Sequence, residues 1–294
     1  MFTTLLIGLD GSPPSEVALA QAILVGQQFR STLVLAHITR AALHQAALIQ
    51  SLGAPWREGR PSGSGNVARD LEEAGLRFLE DAAGAVERAG LKAEIAYGSG
   101  DVVAELAALA EHADAVFVGR VGRQSGGGDP LGPDTRQLIR RSPVPVVVCG
   151  SVISALDRCA VAYDGGPTSV LALSLAERYA EVAGAHLDVI HAAKAGEEEK
   201  GREVLAHAAM ALSATPLQFE THFEVGEVPE VVARVVQRLR CNGLFAGAHR
   251  EPGGWELPSH TEAILRATDI PVLVHNEPQD LSARTTGSHR RSSS

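Results

Sequence analysis

Cysteine is scarce and unpatterned. Cys149, Cys159 and Cys241 are the three among 294 residues, with no CxxC pair and no metal-ligand spacing. They read as buried packing residues in a reducing, cytoplasmic setting. Aromatic residues amount to 4%, so the core must be built from Ala, Val, Leu and Ile. Lysine occurs three times, and the formal charge is −9, which argues against a general nucleic-acid-binding surface. No apolar run approaches the ~20 residues that span a bilayer, and the N-terminus has no signal-peptide layout. The absence of a GK[ST] motif excludes a P-loop NTPase. No Ser-His-Asp or HExxH spacing marks a hydrolase. The acidic pocket and fifth-strand lysine of a phosphate-receiver domain are missing as well.

What is present is an ordinary globular composition, 45% hydrophobic and 21% charged, at a length that suggests about two domains. The chain repeats itself. Leu5 to Ala22 (LLIGLDGSPPSEVALAQA) lines up with Cys159 to Ala176 (CAVAYDGGPTSVLALSLA), placing Asp10-Gly11 on Asp164-Gly165 and Ser15 on Ser169, displaced by 154 residues. The same displacement carries Leu35-Ala36-His37 onto Val189-Ile190-His191. Later, Gly98 matches Gly226 and Gly119 matches Gly247, displaced by 128, and Pro143–Val148 matches Asp269–Val274, displaced by 126. Repeats of this length predict two homologous domains, 1–150 and 151–276. The first carries an insertion over 40–69, and residues 277–294, without apolar periodicity, read as a disordered tail.

Each copy alternates short apolar runs with amphipathic stretches. In the first, strands are expected near Thr4–Leu9, Thr32–His37, Lys92–Tyr97, Ala115–Gly119 and Val144–Cys149. Helices are expected near Ser15–Phe29, Asp70–Ala89, Val102–His112 and Thr135–Arg141. The second copy repeats the pattern from Arg158 to His275. Buried Val/Ile/Leu strands between helices predict an α/β fold, a doubly wound parallel sheet in each copy with right-handed crossovers. Within the insertion, Ala41–Leu52 is helix-compatible and Glu58–Asn66 is a Pro/Gly/Ser loop.

The richest stretch is Ala115 to Asp134, AVFVGRVGRQSGGGDPLGPD. A buried strand, a glycine-rich loop and a helix opened by Pro133 follow one another. Backbone N–H groups unobstructed by side chains, aimed from a helix N-terminus, favour phosphate; a plain flexible turn is the alternative. Asp10 ends the first strand and Gly119 the fourth, and in open parallel sheets ligands bind at the carboxyl ends of neighbouring strands. An aspartate in that place can hydrogen-bond a base or ribose, hold a metal ion, or cap the following turn and helix. His37 and His191 fall at matched strand ends and read as core or turn residues.

DGS after the first strand, GxxGR after the fourth, a further Gly at a helix start and then PVPVVV resemble the universal stress protein family. Its ATP-binding members carry Gly, two residues, Gly, nine residues, then Gly-Ser or Gly-Thr. Here Gly119 and Gly122 are two residues apart, and nine residues, Arg123 to Leu131, precede Gly132. The resemblance spans both copies and identifies the chain as a tandem member. It implies five-stranded parallel sheets ordered 3-2-1-4-5 and association through the fifth strands, internal here as a pseudo-dimer, with a homodimer as a further state.

It also implies an adenine nucleotide, ATP with Mg2+, in the first domain. Adenine would lie near Leu9-Asp10 and His37-Ile38, phosphates in the loop of Gly119, Gly122, Arg123 and Gly132, with Val146 lining the site from the fifth strand. Arg120 and Arg123 would favour the phosphates. One departure weakens the match: Pro133 stands where the motif has Ser or Thr and supplies neither a hydroxyl nor an N–H, while Asp129 and Asp134 add negative charge. The second copy, with Gly247-Ala248-His249-Arg250 and Pro258-Ser259, departs further and reads as a structural or partner-binding domain. The expected function is regulatory nucleotide binding in a stress response through an unidentified protein partner, with no catalytic residue assigned. The alternatives are a nucleotide-free interaction scaffold or, less favoured, a slow ATP hydrolase.

Overall fold

A computed structural model describes residues 2–40, 67–122, 129–248 and 259–276. Most of the insertion, the tail and the centre of the glycine-rich loop lie outside these residues. The elements are β1 (Thr4–Gly8), α1 (Pro13–Phe29), β2 (Thr32–Arg40), α2 (Val67–Arg88), β3 (Lys92–Gly100), α3 (Val102–Ala110), β4 (Ala115–Gly119), α4 (Pro133–Arg141) and β5 (Val146–Cys149). The second half repeats them as β6 (Arg158–Ala162), α5 (Pro167–Ala183), β7 (His186–Ala193), α6 (Glu198–Leu212), β8 (Phe219–Val225), α7 (Val228–Leu239), β9 (Gly243–Ala248), α8 (Ser259–Ala267) and β10 (Val272–Asn276). No described helix is long and apolar enough to cross a membrane.

All ten strands form one sheet, ordered β3-β2-β1-β4-β5-β10-β9-β6-β7-β8. Each half is parallel in the expected 3-2-1-4-5 order. The two sheets anticipated from the repeat are joined into one because β5 and β10 pair antiparallel, Val272 with Val148, Leu273 with Val147 and Val274 with Val146. The sequence dictates this seam. The paired residues, Val146–Val148 and Val272–Val274, are valines and one leucine, all buried, so neither edge is suited to water.

Alternation along the strands divides the core between the faces. Leu5, Ile7, Leu33, Phe117 and Val147 pack under α1, α2, α5 and α6, while Leu6, Val116, Val146 and Val148 pack under α3, α4, α7 and α8. Each fully buried Val, Leu or Ile contributes about 1.5–3 kcal/mol. The halves also meet through α1, whose Gln21 amide exchanges two hydrogen bonds of 2.9 Å with the Ser154 backbone.

Backbone conformation corrects one detail of the repeat. Gly100 and Gly226 share an unusual positive φ, +156° and +151°, immediately before matched helices. Gly100, rather than Gly98, is therefore the counterpart of Gly226. Tyr97 and Phe223 confirm the register, because each pairs with the matched histidine of the neighbouring strand, His37 or His191.

Candidate functional site

A cleft of about 800 Å³ opens at the carboxyl ends of β1, β2 and β4. The side-by-side pairing of β1 with β2 and β4 creates it, since the connections leaving these strands run to opposite faces. Leu9, Asp10, His37, Ile38, Gly119 and Gly122 all line it, so six residues marked from the sequence converge. Gly122 lies against Asp10: a Cβ there would sit 3.0 Å from Asp10 Oδ2.

Other marked residues are placed differently. Val146 is buried in the core beneath α4 and does not line the cleft. It opens β5 opposite Val116, toward the amino end of the strand, whereas the cleft lies toward Cys149. Gly132 is the buried N-cap of α4, and its N–H donates to the Arg120 carbonyl at 2.9 Å, closing the base of the loop. Arg120 turns away from the cleft. Its guanidinium donates to the Thr268 carbonyl at 2.6 Å, beside Asp269. Burial lowers its pKa, with Asp269 opposing, so this arginine serves contact between the halves. Arg123 lies outside the described residues.

The local chemistry accounts for the rest of the wall. Ser12 caps α1, accepting from the Ser15 N–H at 3.3 Å, while Asp10 Oδ1 accepts from the Ser12 N–H at 3.0 Å. The turn-capping role of Asp10 is thus realised. Gly119 packs flush on the start of α1, where an added Cβ would lie 2.6 Å from the Pro14 carbonyl carbon; Gly247 is equally tight against Thr168. His37 Nδ1 contacts the Leu9 carbonyl at 2.7 Å, as His191 does that of Tyr163. Donating from Nδ1 lets each ring lock two strand ends together.

Several wall residues gave no separate signal. Arg40, at the end of β2, pairs with Asp134 in the first turn of α4, bridging the cleft between residues 94 apart in sequence. The Thr135 hydroxyl donates to the Gly119 carbonyl at 3.1 Å. Gly75 makes room on α2 for the Tyr97 ring, which a Cβ would approach to 2.5 Å. Its only clue was its match with Gly201, which does the same for Phe223.

Negative charge in the loop is neutralised. Asp129 pairs with Arg136 at 2.5 Å and with Arg266 of the second half at 3.0 Å, and Glu262 binds the same two arginines. Hydrogen bonding from Arg136 is the main cause of the lowered Asp129 pKa. Meanwhile α4 has no side-chain cap and Pro133 at its start, so the N–H groups of Asp134 and Thr135 remain the donors of its first turn. The equivalent cleft in the second half encloses only about 220 Å³, between Asp164, His191, Lys194, Lys200 and Gly226.

The sequence profile described as "Universal stress protein family" matches residues 1–150 and again 156–275. The chain belongs to the universal stress protein family. As a tandem universal stress protein it is 24% identical over 290 residues to universal stress protein Rv2005c of Mycobacterium tuberculosis, covering 92% of this chain and 95% of that one. Among solved structures, a universal stress protein from Archaeoglobus fulgidus superimposes with a TM-score of 0.72 at 20% identity, covering 94% and 97% of the two chains. A putative universal stress protein from Pseudomonas aeruginosa gives 0.61 at 19% identity, with 94% and 93% covered. At these identities the structural likeness establishes the fold, while the cleft must be read from its own residues.

Proposed function

We propose that this universal stress protein is a cytoplasmic stress-response regulator that binds an adenine nucleotide, ATP with Mg2+, in the first-half cleft. The observation that carries this reading is the convergence of Leu9, Asp10, His37, Ile38, Gly119 and Gly122 on one cleft of about 800 Å³. That volume lies within the roughly 300–1,000 Å³ typical of small-molecule sites, whereas about 220 Å³ in the second half falls short. The base is assigned to the apolar wall between Leu9 and Ile38, with the phosphates toward Gly122 and the uncapped start of α4. Arg40, ion-paired to Asp134 at this rim, offers a guanidinium to an incoming phosphate. The carboxylates Asp10, Glu16 and Asp134 line the cleft and suit Mg2+ that arrives on the phosphates and keeps most of its water. Nucleotide occupancy would set the position of the loop that Asp129 ties to the second half, giving binding a route to a protein partner.

A nucleotide-free scaffold is favoured by one observation: the Gly132 N–H is spent on Arg120, and Pro133 has none. Calorimetric titration with Mg-ATP, with mass spectrometry of any ligand released from the purified protein, separates the two. Micromolar binding lost in Gly122→Glu, which sets a second carboxylate against Asp10, supports the nucleotide. No bound nucleotide and no heat up to millimolar Mg-ATP establishes the scaffold.

A further inference from the structure

Far from both clefts, at the amino ends of the second-half strands, a polar cluster interrupts the apolar face beneath α7. Arg158 opens β6, His186 and Asp188 lie on β7, and Glu220 and His222 lie on β8. Strand register brings them together: Arg158 faces His186, Ala160 faces Asp188, Asp188 faces Glu220, and Ile190 faces His222. The first half supplies an internal control. Its register is the same, with Thr4 facing Thr32, Val34 facing Glu94 and Ala36 facing Ala96. At the positions of Arg158, His186, Asp188 and His222 it therefore has Thr4, Thr32, Val34 and Ala96. The same framework folds without the cluster, so fold formation does not explain it.

Asp188 is fully buried. Arg158 grips it with two hydrogen bonds, Nε to Oδ2 at 2.7 Å and Nη2 to Oδ1 at 3.0 Å. His222 Nε2 lies 2.7 Å from Oδ1, and the Cys241 thiol donates to Oδ2 at 3.5 Å. These contacts hold the carboxylate ionised and fixed. His186 is left over. Its Nε2 is buried without a hydrogen-bond partner among the described residues, 3.5 Å from Asp188 Oδ1. A buried, unsatisfied imidazole nitrogen is costly and calls for a missing partner.

The spacing indicates which partner. Ligand atoms of His186, Asp188 and Glu220 all lie within 4.8 Å of one another. His222 Nε2, bonded to Asp188 Oδ1 at 2.7 Å, steadies that carboxylate rather than facing an ion. Tetrahedral ligands bonded at 2.0–2.2 Å are separated by about 3.3–3.6 Å, which the 3.5 Å between His186 Nε2 and Asp188 Oδ1 matches. One imidazole with two carboxylates, leaving the fourth position to water, suits a borderline ion of the zinc class rather than Mg2+ or Ca2+. Arg158, bonded to both oxygens of Asp188, is the supporting partner such sites use to aim a ligand. Glu220 is 62% exposed and His186 23%, which gives an ion a way in from the open side of β8, the outermost strand.

We propose that His186, Asp188 and Glu220 form a binding site for one divalent transition-metal ion of the zinc class, which fastens β8 onto β7. The full chain, stripped with a chelator, is titrated with Co2+ and then Zn2+. The expected result is one equivalent of Co2+ with the visible bands of a four-coordinate ion, their loss on adding Zn2+, and a rise in Tm with either metal. Glu220→Gln and His186→Asn are the variants of choice, because neither removes a hydrogen bond from Asp188, whereas His222→Ala does. Loss of a supporting partner alone costs about 10–100-fold in metal affinity, so each variant should weaken binding at least that much while the metal-free Tm stays near wild type. Absence of the cobalt bands and of any Tm rise overturns the proposal. Binding of wild-type strength in both variants overturns it too, by placing the metal elsewhere.

Discussion

Pro133→Ser is the sharpest probe of the nucleotide site. The loop enters α4 through Gly132, whose N–H is engaged by the Arg120 carbonyl at 2.9 Å, and Pro133 then occupies the first helical position with no N–H to offer. Serine there restores one backbone donor and adds a hydroxyl, both at the positive end of the helix. A hydrogen bond to a charged group contributes about 1.5–3 kcal/mol, so one engaged donor should tighten Mg-ATP binding by about tenfold to a hundredfold. Stability should move the other way. Losing the fixed φ of proline costs about 0.4–1 kcal/mol through the unfolded chain, or roughly 0.5–2 °C in Tm for a protein of this size. Calorimetric titration and thermal melts on the same preparations measure both. Tighter binding with a slightly lower Tm is the expected pair. Unchanged or weaker binding at that reduced Tm would refute the phosphate placement at the start of α4.

Other expectations follow from packing and charge. Gly119→Ala places a Cβ 2.6 Å from the Pro14 backbone, and overpacking of this kind costs about 1–3 kcal/mol; a lower urea midpoint checks it, and an unaltered midpoint would show that α1 yields freely. Cys149, Cys159 and Cys241 are buried, and burial pushes their thiols up, that of Cys241 to about 12. The native chain should therefore resist a thiol reagent near pH 8 and react fully once unfolded; fast native labelling would contradict the packing. At Asp269, hydrogen bonds from the Ser151 hydroxyl and amide hold the carboxyl below its usual range. At Asp114, burial raises the pKa, but donation from the Thr3 hydroxyl and the Thr4 and Thr3 amides outweighs it. Both folded pKa values lie below the unfolded 3.8, so their stabilisation is present above that pH and is lost as pH falls through the folded values. Asp114→Asn should flatten the acid limb of a Tm–pH profile, and an identical limb would show that Asp114 contributes nothing to it.

The fold was legible because its signals are local and duplicated. Each strand is a compact apolar run, each helix has its own pattern, and the second copy checks the first. The cleft was legible where a residue's role follows from its place at a strand end, as for Asp10, His37, Gly119 and Gly122. Val146 was misplaced because a run of three consecutive valines does not show which end of the strand it occupies; pairing with Val116 decides that. Arg120 looked like a phosphate ligand because the expected association of the fifth strands does not by itself show that their seam brings Thr268 within reach of it. Gly98 drew the alignment from Gly100 because identity alone carries no φ angle. The Arg40–Asp134 bridge and the cluster around Asp188 depend on register between strands and helices, which no single stretch encodes.

The antiparallel seam between β5 and β10 decides which parts of the molecule share a rim. Reversal at this one pairing turns the second half over, so the carboxyl ends of β1, β2 and β4 and the amino ends of β6, β7 and β8 emerge along the same side of the sheet. The large cleft and the Asp188 cluster are neighbours in that sense, and the small cleft opens on the opposite side. Six strand spacings separate β1 from β7, on the order of 30 Å at about 4.8 Å each. No small ligand bridges that distance, but an extended partner laid along the rim meets both places at once. Communication between the two clefts, by contrast, has to pass through the core of the sheet, across Val146–Val148 and Val272–Val274.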